Sequence, residues 1–128
     1  MNRILLVLAA LVLAALLLAM PAGAEEYEQG PNGGLMLDVA GIDAELLTAG
    51  STVTINVFKA FSPTPVSTKG YSAAVLITSS SGRETVALAP SGENSLKGEA
   101  KGAIAPGATI TLTIKTAEGK SGQVKFRK

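Results

Sequence analysis

Acidic side chains crowd one end of this chain. Residues 25–45 hold six carboxylates (Glu25, Glu26, Glu28, Asp38, Asp43 and Glu45) and no base, whereas residues 46–128 hold four acids and ten bases. Asp43 and Glu45 stand two residues apart, a spacing that on a strand puts both on one face about 7 Å apart. Such a pair suits acid–base work across a glycosidic bond or, as hard oxygen ligands, a cation such as calcium. Neither chemistry finds its other parts. The chain has no Trp and only 4% aromatic residues to stack a sugar, and its acids do not match the calcium loop D-x-[DN]-x-[DN]-G. Asp43 and Glu45 are therefore expected on the solvent face of a strand. Met36 adds one thioether, few for Cu(I), and its place in LMLDV (35–39) reads first as core packing. These three residues are weak metal candidates, and no cofactor is expected.

Nucleophilic chemistry fares no better. With no His and no Cys, a Ser has no imidazole base and remains an ordinary hydroxyl. There is no G-x-S-x-G elbow, and Ser79-Ser80-Ser81-Gly82 reads as a hairpin turn. GPNGG (30–34) lacks both the Lys-Ser/Thr of a phosphate loop and the dinucleotide fingerprint. Tyr27, Phe58, Phe61, Tyr71 and Phe126 are too scattered for a nucleic-acid stacking platform. The expectation is a protein that is not an enzyme and binds no nucleic acid.

The residues left as interaction candidates are Pro31, Asn32, Gly33, Gly34 and Phe61. Pro31 presets φ for a turn, Asn32 tolerates the left-handed region, and Gly33 and Gly34 accept positive φ. Successive amides there could also form an anion-binding nest, but Asn-Gly is a standard turn dipeptide and the turn is favoured. Phe61 lies in KAFSPTPVSTKG (59–70) and is expected to plug the core beneath that loop.

The elements that must hold these residues are strands. Thr52–Phe58 alternates Val53, Ile55 and Val57 with polar neighbours, and Ala108–Lys115 does the same with Ile110, Leu112 and Ile114. Ala73–Thr78 is continuously apolar, as a strand covered on both faces would be. Leu35–Val39, Ile42–Leu47, Thr85–Leu88, Leu96–Ala100 and Gln123–Arg127 fill further slots, with Pro90–Asn94 among the turns. Spacing of about 8–12 residues with no Trp or Cys predicts an all-β fold, an immunoglobulin-like antiparallel β-sandwich of about 7–8 strands in architecture only. The basic end Lys125-Phe126-Arg127-Lys128 reads as a solvated strand end.

Ahead of the domain, Arg3, the apolar run 4–20, Pro21 and Ala22-Gly23-Ala24 have the layout of a signal helix cleaved after Ala24. An uncleaved anchor is the alternative, and the only expected membrane contact. The organisation is then 1–24 signal peptide, 25–33 flexible leader and 34–128 a single domain, periplasmic or secreted in a bacterium. The absence of Cys excludes lipidation and disulfides.

The order PNGG (31–34), GIDAELL (41–47) and TVTINV (52–57), continuing through PVSTKG (65–70), RETVALAPSGENSLKG (83–98) and QVKFRK (123–128), resembles small secreted bacterial proteins. In these a PNGG or HGG turn precedes a G-x-H-x-E-L-V segment and a T-x-Y-V-type strand. Related domains accompany heavy-metal efflux and resistance components. The resemblance implies a β-sandwich with an accessory role near metal handling. Asp43 stands where relatives carry His, and only Glu45 of the implied metal face carries over. Metal binding is therefore not expected to transfer. The functional expectation is a non-catalytic binding or accessory module with an envelope protein partner. The alternative is a structural or adhesive envelope protein that pairs through a strand edge.

Overall fold

A computed structural model of the chain describes residues 28–128. The signal helix and its cleavage site lie outside the described residues. Nine antiparallel strands form the fold, with no helix among the described residues: β1 (Glu28–Gln29), β2 (Leu35–Val39), β3 (Ile42–Ala49), β4 (Thr52–Lys59), β5 (Ser72–Ser79), β6 (Gly82–Ser91), β7 (Ser95–Glu99), β8 (Thr109–Lys115) and β9 (Ser121–Arg127). They join in one curled sheet in the order β1-β2-β3-β4-β7-β6-β5-β8-β9.

Alternation builds the inner face. Ile42, Ala44 and Leu46 of β3 lie opposite Val39, Leu37 and Leu35 of β2, and Val53, Ile55 and Val57 continue the row on β4. Val75 and Ile77 of β5, Val86 and Leu88 of β6, and Ile110, Leu112 and Ile114 of β8 complete one core, with Phe126 of β9 fully buried in it. β5 is only half as covered on its outer face as its apolar run suggests. Leu76 there is half-buried between Thr85 and Thr111 on the flanking strands.

β6 makes one sheet out of two halves. Its first part pairs with β5 as far as Leu88, and its last three residues pair with β7. The expected turn at Pro90–Asn94 therefore starts later, because Pro90 is still in β6, opposite Leu96. Beyond Leu88 the strand has left β5, so a residue without an N–H is tolerated on its unpaired side.

Part of the segment expected as a leader belongs to the sheet. Glu28 and Gln29 pair with Met36 and Leu35, and residues 30–33 form the turn between these strands. Two-residue turns close other hairpins. At Ala40-Gly41 both φ values are positive, 53° and 85°, the geometry that matches strand twist.

Candidate functional site

The outer face of β2, β3 and β4 carries the acids, and it is not open to solvent. Asp43 is 4% exposed and Glu45 is fully buried, contrary to the solvent-face expectation. Their side chains do alternate away from the core, but two loops roof that face. The 30–34 turn covers Glu45 and the loop after β4 covers Asp43. Alternation along β3 places the carboxylates; it does not show what folds back over them.

Glu45 is an internal anchor. Oε2 accepts the backbone N–H groups of Asn32 (2.8 Å) and Gly34 (2.9 Å). Oε1 accepts the side-chain amides of Asn32 (2.9 Å) and Asn56 (3.4 Å). Ser95 Oγ donates to Asn56 Oδ1 at 2.5 Å, extending the chain of bonds from β3 across β4 to β7. The Pro31–Gly34 segment is thus the expected turn and also an anion nest, with this protein's own carboxylate as the anion. Its residues act differently from expectation. Gly33 alone of the two glycines has positive φ (86°) and Asn32 is not left-handed. Gly34 is needed for closeness, since a Cβ there would strike the Leu46 carbonyl oxygen and crowd the Glu45 side chain. Gly30 is held the same way, a Cβ there falling 2.5 Å from the Glu45 carboxyl.

Asp43 is in a different state. Its Oδ2 accepts the Phe61 N–H at 3.4 Å, and its Oδ1 has no hydrogen-bond partner. Asp38 lies directly opposite on β2. Burial first, then the neighbouring carboxyl of Asp38, whose proximity and charge favour the protonated form, push the Asp43 carboxyl up to about 6; the Phe61 amide opposes the shift and Glu28 adds to it.

Phe61 overturns another expectation. It does not plug the core: it is 93% exposed. The loop doubles back tightly, with Lys59 N–H bonded to Thr64 O (2.8 Å) and Ser62 N–H to Lys59 O (3.1 Å). At its tip Phe61 takes φ 63°, a genuine outlier for a bulky side chain. Its N–H points in to Asp43 and its ring points out.

Between the two loops lies a cleft of about 510 Å³ whose lining includes Glu28, Pro31, Met36, Asp43, Phe61 and Pro63. Met36 is half-buried here, on the face opposite the core, and not packed in the core as its LMLDV setting suggests. Of the metal candidates, Met36 and Asp43 meet at this cleft while Glu45 is consumed by its own four bonds. No group of three or more His, Cys, Asp or Glu among the described residues could hold a metal ion.

Comparison with family models, with curated proteins and with solved structures finds no match for this chain. The cleft is therefore read on its own chemistry. It offers a desolvated carboxylate, a thioether, two prolines and an exposed ring. Asp38 and Glu28, charge neighbours of Asp43, could have been suspected from the acidic run at residues 25–45. Asn56 and Ser95 gave no signal, being ordinary polar positions of alternating strands.

Proposed function

We propose that the chain is a non-catalytic binding or accessory module, exported and periplasmic or secreted in a bacterium after cleavage behind Ala24, that engages an envelope protein partner. The curled sheet is read as an immunoglobulin-like sandwich, its two arms closing on one core. Phe61 carries the proposal. A large apolar side chain held in solvent on a strained backbone costs free energy in the isolated protein, and rigid aromatics beside a half-apolar cleft are the usual anchors of protein interfaces. The resemblance to secreted proteins that accompany heavy-metal efflux adds the narrower reading that the partner belongs to such machinery.

A second reading has one observation behind it. Among the described residues β9 ends the sheet beyond β8. Outside its close approach to the β2–β3 hairpin at Gly122, this reading takes it as an edge to which a partner strand can add in a structural or adhesive assembly. Lys125 and Arg127 on that strand oppose such pairing, which ranks this reading second. Chemical crosslinking in envelope extract, with the captured protein identified, separates the two. The first reading expects one partner recovered by the unmodified protein and lost with Phe61→Ala at unchanged fold. Capture that ignores Phe61→Ala but is competed by a free peptide of β9 sequence overturns it in favour of the second.

A further inference from the structure

Resting on the reading of the Phe61 cleft as a partner-binding face, we infer that it accepts a basic side chain of that partner, the ammonium of Lys or the guanidinium of Arg, with Asp43 as counter-charge. Asp43 lines the cleft, and its Oδ1, just beneath that surface, is buried without a hydrogen-bond partner. A desolvated carboxylate oxygen without a donor is among the costliest arrangements a fold can hold. A cationic donor entering the cleft supplies both the missing hydrogen bond and the missing charge. No Lys or Arg among the described residues lines the cleft, while Glu28 adds a second acid at its wall.

The rest of the lining fits the stem of such a residue. Met36, Pro31 and Pro63 present apolar surface to an alkyl chain, as long basic side chains require when their stems are buried. Phe61 stands at the rim of the cleft with its ring in solvent, where an aromatic surface attracts an approaching cation. A metal ion fits poorly, because hard carboxylates and a thioether suit different ions and no three His, Cys, Asp or Glu among the described residues are grouped so that they could hold one. A neutral ligand would leave the carboxylate uncompensated. A free amine shares the chemistry of Lys, but the exposed Phe61 extends the contact surface beyond what an amine could cover, which favours a protein partner.

The test is an amide NMR titration of the purified protein with three probes: an uncharged-flank peptide carrying one Lys, the same peptide with norleucine in its place, and butylammonium. The Lys peptide is expected to shift the Phe61 and Met36 amides saturably. Norleucine should weaken binding by at least about tenfold, and Asp43→Asn should weaken the Lys peptide by a similar factor. Equal binding of the Lys and norleucine peptides, or no shift from either, overturns the inference, and this comparison stands even if Asp43→Asn fails to fold. Butylammonium binding as tightly as the Lys peptide overturns the protein-partner source. Envelope capture that depends on Phe61 while the probes fail to discriminate charge would sink this inference and leave the proposed function standing. Capture independent of Phe61 would sink the proposed function itself.

Discussion

Asp43 shows how one residue can be set by groups that its own strand does not supply. Its carboxyl, ordinarily near 3.8, is raised to about 6 by burial and then by Asp38, with Glu28 contributing. The folded protein therefore holds a proton more tightly than the unfolded chain. Stability from this group is fully present below the ordinary value and is lost as pH rises through 6. Between pH 4 and 7 the loss is expected to be about 1–3 kcal/mol, the lower end applying if solvent reaches the cleft. Urea unfolding across that range checks it. The Asp43→Asn variant, which cannot ionise, should lack this downward slope and be at least as stable as the unmodified protein at pH 7. A variant that loses stability at pH 7 would show that the carboxylate is better compensated than its unpartnered Oδ1 implies.

At the scale of elements, the sequence was a good guide to strands and a poor one to roofs. Thr52–Lys59 and Thr109–Lys115 carry period-two alternation whose cause is local, so they could be read directly. The burial of Glu45 has a cause 11–13 residues away, in the amides of Asn32 and Gly34, and no pattern within β3 reports it. The same holds for Phe61, whose exposure follows from the backbone hairpin of its loop and not from its hydrophobicity. Glu45→Gln tests the roof. One carboxylate oxygen becomes an NH₂ that must face two existing donors, while shape is nearly conserved. The expected cost is about 2–3 kcal/mol, opposite in sign to the effect of Asp43→Asn two residues away. Denaturant unfolding gives the magnitude. Hydrogen exchange should show the Asn32 and Gly34 amides losing protection before the rest of the sheet. If their protection survives, the turn is held by its own Gly30–Gly34 backbone bond (2.8 Å) and not by the carboxylate.

The curl of the whole molecule depends on close approach at its far end. β9 is remote from β2 along the order of the sheet, yet Gly122 of β9 lies so near the β2–β3 hairpin that an added Cβ would stand 2.9 Å from Val39 Cγ2 and 3.1 Å from Ala40 N. Backbone and a buried branched side chain cannot both yield there. A glycine within a strand ordinarily weakens it, and Val at such a position gains up to about 1 kcal/mol of strand preference. The two effects compete, and the contact is expected to win. Gly122→Val should destabilise the fold by about 1–3 kcal/mol, as overpacking does. It should also lift β9 from β2 and leave Val39 and Phe126 less well covered. Chemical unfolding measures the first effect, and increased binding of a hydrophobic dye to the native protein the second. A stabilised Gly122→Val protein would mean that the two ends of the sheet are not pressed together in solution. The single core would then be closed by β5, β6 and β8 against β3 and β4 alone, and β9 would be free to serve as the pairing edge of the second functional reading.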